Sequence, residues 1–116
     1  MASRILPNAN EESTYAVDVS FFNENDVAVT PSAATWTLTD KAGTVINSRT
    51  AVVISGLSTS NTIGLSGNDL AISAAETNLK LVERRLLVEF TYTSTLGAGL
   101  PGTQEFIFSI VNFAGI

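Results

Sequence analysis

Three stretches of this chain alternate apolar and polar side chains at a period of two, and that alternation limits what it can fold into. Between Ser13 and Phe22, Tyr15, Val17, Val19 and Phe21 fall on one side, with Ala16, Asp18 and Ser20 on the other. Between Ala34 and Thr39, Trp36 and Leu38 oppose Thr35, Thr37 and Thr39. Between Arg84 and Ser94, Leu86, Val88, Phe90 and Tyr92 oppose Arg85, Leu87, Glu89, Thr91 and Thr93. Successive side chains of a strand point to opposite faces, so this pattern predicts half-buried β-strands. Val, Ile and Thr supply 32 of the 116 residues, and such β-branched side chains fit a pleated surface better than a helix.

Composition narrows the function classes. The chain has no histidine and no cysteine, which removes the Ser-His-Asp triad, the thiol nucleophile, the usual zinc ligands and any disulfide. Its formal net charge of -5 rests on 11 acidic and 6 scattered basic residues, too few to make the basic stripe that nucleic acid or an anionic membrane requires. No run of apolar residues is long enough for a membrane span, and Met1 to Pro7 lacks the apolar core of a signal peptide. With 15% charged residues and 26 Ser and Thr, the polar surface is mostly neutral hydroxyl.

Residues 1–13 read as an N-terminal arm, in which Ile5 and Leu6 can add to a sheet edge or insert into a neighbour, and residues 14–116 read as one domain. Asn23 to Asp26 breaks the first strand, and Pro31 interrupts any extension through Val27 to Thr30. After the Trp36 strand, Asp40-Lys41-Ala42-Gly43 predicts a turn, with Thr44 to Ser48 pairing back as a hairpin. Ala51 to Ile54 and Asn61 to Leu65 predict further short strands. Ser66-Gly67-Asn68-Asp69 and Ser73-Ala74-Ala75-Glu76 both have capping-box form, which predicts one or two short helical turns in a crossover near residues 66–82. Leu96 to Gly102, with three glycines and a proline, predicts a flexible loop. Thr103 to Phe113 predicts the last strand, with Phe106, Phe108 and Ile110 on one face and Ile107, Val111 and Phe113 on the other, so it needs cover on both faces or offers one as a contact surface.

About seven short strands with one crossover predict an all-β fold, an immunoglobulin-like antiparallel two-sheet β-sandwich, with a small closed barrel as the other arrangement. Trp36, Tyr15, Phe21, Phe90 and Phe108 are the expected interior.

Candidate chemistry is sparse. The carboxylates Asp18, Glu24, Asp26, Asp40, Asp69, Glu76, Glu83, Glu89 and Glu105 are dispersed over strands and turns, and a hydrolytic pair would need two of them facing across a cleft. Asn23-Glu24-Asn25-Asp26 offers oxygen ligands but lacks the spacing of a calcium loop and reads as a solvated acidic turn. Gly97-Ala98-Gly99 precedes a strand, where a phosphate cradle opens a helix. Alternation separates Arg84 and Arg85 onto opposite sides of one strand, so they form no basic patch. The expectation is a chain with no catalytic, cofactor-binding or metal residue, and no cofactor.

The order of segments Tyr15 to Phe21, Val29 to Asp40, Gly43 to Ser48, Leu65 to Ala71 and Leu86 to Thr93 is similar to that of small single-domain immunoglobulin-like proteins of tailed bacteriophages and prophages. The resemblance covers residues 14–113. It implies a non-enzymatic virion structural or accessory protein, a decoration, neck or tail component. Such a protein is made in the host cytoplasm and built into the virion, where it contacts other virion proteins in symmetric or homo-oligomeric copies, without nucleic acid or membrane as partner. The alternative is a carbohydrate-binding or adhesion module for host-surface attachment, which needs Tyr92, Phe22 or Phe113 exposed in a row so that sugars can stack on them.

Overall fold

A computed structural model describes residues 3–72, 76 and 79–112. Within them the chain is all-β, with eight strands in two sheets and one short 3-10 turn. The strands are β1 (Ser3–Ile5), β2 (Ala9–Asn10), β3 (Thr14–Ser20), β4 (Ala33–Asp40), β5 (Val52–Val53), β6 (Ser60–Ser66), β7 (Leu81–Ser94) and β8 (Gly97–Val111). The larger sheet has the order β1-β8-β7-β4-β5, with β2 also on β8, and the smaller sheet is the pair β3-β6. Pairing is antiparallel except where β1 and β2 run parallel to β8. No ladder joins the two sheets among the described residues, as a closed barrel would require.

The alternation predicted from sequence decides which faces meet. Val17, Val19, Ile63 and Leu65 of the smaller sheet and Trp36, Leu38, Leu86, Val88, Phe90, Phe106, Phe108 and Ile110 of the larger one belong to a single buried cluster. Phe21 meets Phe90 edge-on at 5.0 Å, and Tyr15, only half-buried, stacks on Phe108 at 4.8 Å. The sheets are also tied by a polar contact, Gln104 Nε2 donating to the Ser20 carbonyl at 2.6 Å.

Two expectations change. The Leu96 to Gly102 segment is not a flexible loop. Only Thr95 and Leu96 form the turn, and β8 begins at Gly97, opposite Ser94. Each unusual residue there serves the strand. Gly99 takes φ 66 beside the register shift at Tyr92/Ser94, and Gly102 lies against the Phe90 ring, where a Cβ would come within 2.3 Å of Cζ. Pro101, on the side of β8 away from β4, occupies an edge where no ladder donor is needed. The predicted Thr44 to Ser48 hairpin is interrupted after the Thr39–Val45 bridge and the Ile46 N–H bond to the Leu38 carbonyl, because Asn47 and Ser48 adopt left-handed φ of 53 and 56 and bulge out before Arg49 returns its carbonyl to the Leu38 N–H. The arm takes the first of its two expected placements and adds to a sheet edge: Ser3 to Ile5 and Ala9 to Asn10 pair with β8, and Ala9 is buried.

The Ser66 to Asp69 box does start a helical turn, the 3-10 turn Gly67–Leu70, with the Asp69 carboxylate accepting from the Ser66 N–H at 3.2 Å. Of the second box only Glu76 lies within the described residues. Phe113 lies outside them.

The β7–β8 hairpin gives the molecule its form. A 14-residue strand spans about 45 Å at the usual rise, and the principal extents are 53 × 23 × 20 Å.

Candidate interaction surface

The inner face of the hairpin packs on the smaller sheet, whereas among the described residues no further sheet lies on the outer face. Register places Thr37, Leu87 and Glu105 in one row across it and Thr39, Arg85, Ile107 and Ile5 in the next, with Leu81 beside Val111 further along. Ile5 is 82% exposed, Val53 at the opposite edge 74% and Leu81 50%, while Leu87, Ile107 and Val111 are half-buried by their neighbours. Two-faced apolarity of the last strand is thus resolved: the Phe106 face makes the core and the Ile107 face is open. The charges on the outer face are Arg85, bonded to Glu83 at 2.9 Å, and the carboxylates Glu89 and Glu105.

Strand edges differ in how they are closed. The Phe21 N–H bonds the Thr59 carbonyl, so alternation along the ladder turns the backbone groups of Ser60, Thr62, Gly64 and Ser66 away from β3. Side chains occupy both ends of that edge: Ser58 exchanges bonds with Ser60, and Asp69 takes the Ser66 N–H. Such local capping blunts an edge against pairing.

Two ion pairs escaped the sequence reading. Arg84 is fully buried, with Nη1 and Nη2 held by the Glu76 carboxylate at 2.9 and 2.7 Å and by the carbonyls of Glu83 and Ala71. Its Nε has no partner among the described residues. Asp69, buried, receives Arg49 Nε at 2.7 Å and Asn47 Nδ2 at 2.9 Å. Burial pushes its carboxyl up, but the bonds from Arg49, Asn47 and Ser66 outweigh that and hold it below its ordinary value. The guanidinium of Arg49, held above its ordinary value by Asp69, also lies 5.9 Å over the Trp36 ring. Between these pairs runs an open groove of about 480 Å³ that includes Asp40, Asn47, Asn68 and Arg84 among its walls. Asp40 itself is spent on its turn, its Oδ1 accepting from Ala42 and Thr44.

The remaining sequence candidates are dispersed. Among the described residues no group of three or more acidic side chains converges as a metal site would. Asn23 uses its Oδ1 on the N–H groups of Asn25 and Val27, and Glu24 accepts the Tyr92 hydroxyl at 3.1 Å. The Glu24 carboxyl is lowered chiefly by its own backbone N–H, and the Tyr92 phenol is raised chiefly by burial. Asp18 accepts from Thr62 at 2.7 Å. Of the rings named for sugar stacking, Phe22 is 42% exposed and Tyr92 is buried. No helix among the described residues is long and apolar enough to cross a membrane. Compared with protein-family models, with curated proteins and with solved structures, the chain matches none.

Proposed function

We propose that this chain is a non-enzymatic immunoglobulin-like β-sandwich module that works by protein–protein contact, and that it serves as a decoration, neck or tail component of a tailed-phage particle. The sandwich reading is supported by two sheets around one core, with an N-terminal strand running parallel to the last strand. The contact reading is carried by the outer face of the larger sheet, where Ile5, Ile107 and Leu87 occupy adjacent rows, with Leu81 and Val111 further along, Val53 at the opposite edge, and Glu83, Arg85, Glu89 and Glu105 among them. A patch of that kind, with polar Thr and Glu around it, has the make-up of a protein interface. The phage setting rests on the similarity in segment order from Tyr15 to Thr93. Peptide mass spectrometry of purified particles tests it: the chain is expected at a copy number matching a ring or lattice, and its absence from particles overturns the assignment.

One observation favours a second reading, attachment to a glycan. The exposed Phe22 lines a groove of about 180 Å³ with Arg4, Asn23, Asp26, Gln104 and Glu105, a ring beside amide and carboxylate groups of the kind that holds sugars. Phe22→Ala would then abolish binding to host-surface glycans, and a blank glycan array for the unaltered chain removes that reading.

A further inference from the structure

The edge of β8 from Glu105 to Val111 is closed by the arm. Ser3 to Ile5 and Ala9 to Asn10 lie parallel along it, Leu6 N–H bonds the Ile107 carbonyl at 2.8 Å, and Glu11 N–H bonds that of Val111 at 3.2 Å. Ala9 is buried, Leu6 packs on the core, the Tyr15 hydroxyl donates to the Pro7 carbonyl, and Arg4 lies over the Phe106 ring. Without the arm, the Glu-Phe-Ile-Phe-Ser-Ile-Val edge of β8 would present an unpaired, β-prone backbone, a template for another strand. Further along, Pro101 protects the stretch the arm does not reach.

The arm is joined to β3 by Glu11, Glu12 and Ser13 only. Glu12 sits in the left-handed region at φ 51, a conformation disfavoured for a side chain with a Cβ. It is pinned by Glu12 N–H to the Leu70 carbonyl and by Ser13 bonding back to Asn10. A short strained hinge between a detachable strand and the body favours exchange of that strand between molecules, because every arm contact re-forms in the partner while the hinge relaxes to an extended chain.

We infer that copies of this chain exchange N-terminal arms, residues 3–10 of one copy pairing parallel with β8 of the next. The occupant of the β8 edge is thus the same segment whether chains are alone or crowded on a lattice, and crowding selects the exchanged form by raising local concentration. The inference names a second copy as partner. It rests on the protein-contact reading and not on the particle.

The absence of native cysteine makes the test direct. Ile5 and Ile107 are register partners on adjacent strands, at a spacing of about 4.8 Å that suits a disulfide. Chains carrying Ile5→Cys alone are incubated at high concentration with chains carrying Ile107→Cys alone, then oxidised. A mixed covalent dimer is expected, well above the background given by Ile5→Cys with Val53→Cys at the far edge of the sheet. Solution mass gives a second measurement that needs no cysteine. Deleting Glu12 and Ser13 should raise the oligomer fraction, a Gly/Ser insertion there should lower it, and Glu12→Gly should lower the exchange constant roughly fivefold, equivalent to ~1 kcal/mol of relieved hinge strain. The inference is overturned if the mixture gives no dimer above background, the double Ile5→Cys, Ile107→Cys variant closes only within one chain, and solution mass ignores hinge length. Absence of the chain from particles would leave a positive crosslink standing, and a blank crosslink would leave the particle assignment standing.

Discussion

Arg84 and Arg85 are neighbours on β7 and meet opposite surroundings. Arg84 points between the sheets, is fully buried and is clamped by Glu76, while Arg85 points outward and shares a half-exposed bond with Glu83. The same division runs along β8, where Phe106 and Phe108 are sealed and Ile107 and Val111 are only half-buried. The two faces of one hairpin therefore carry different burdens. The inner face holds the molecule together, whereas the outer face mixes half-buried Leu87, Ile107 and Val111 with Thr, Ser and charged side chains.

The sharpest way to break that contrast is at Arg84. Arg84→Ala removes the buried guanidinium that ties the Glu76 carboxylate to the Glu83 and Ala71 carbonyls and should cost about 3–5 kcal/mol, as should Phe106→Ala through lost burial and a residual cavity, about 3–5 kcal/mol. Calorimetry should show Tm falling by more than ~10 °C for either. Gly102→Ala should cost about 1–3 kcal/mol, because its Cβ would intrude on the buried Phe90 ring, which is packed against Phe21 and Tyr92 and has little room to retreat.

Acid gives a smaller effect that follows from Asp69. Its folded-state pKa is lowered, so its stabilising contribution is fully present above the unfolded carboxylate value of about 4 and is lost as pH falls through the lower folded value. An acid titration of Tm should therefore drop less steeply in Asp69→Asn, which lacks that titration, than in the parent. Smallest of all, Ile107→Thr and Leu87→Thr should cost about 1 kcal/mol each, since both side chains are only half-buried, well below the cost at their inner-face neighbours.

Much of this division was legible in the sequence. The alternation from Leu86 to Tyr92 identified the buried side of β7, and the same parity put Arg84 on it. What parity could not show was that a charge would be sealed there, because Glu76 comes from the crossover, whose approach to β7 is a tertiary event. Asp69 was legible as the end of a capping box, but not as the partner of Arg49, which reaches it through a loop with Asn47, Ser48 and Ala51 all left-handed. Gly97 to Gly102 misled because glycine that loosens a loop also permits a bulge and a close ring contact, and only the Phe90 ring distinguishes the two. The apolar Ile107 side of β8 was recognised as needing cover or a partner. Which of these held depended on where the crossover and the smaller sheet packed.

On the proposed function, the inner face folds the chain and the outer face makes its contacts. Hydroxyl-radical footprinting of the isolated chain and of the chain within assembled particles compares the two faces in one measurement. Leu87, Ile107 and Val111 should lose reactivity on assembly while the already protected Phe106 and Phe108 stay unchanged. Equal reactivity of the outer-face residues in both states would contradict it.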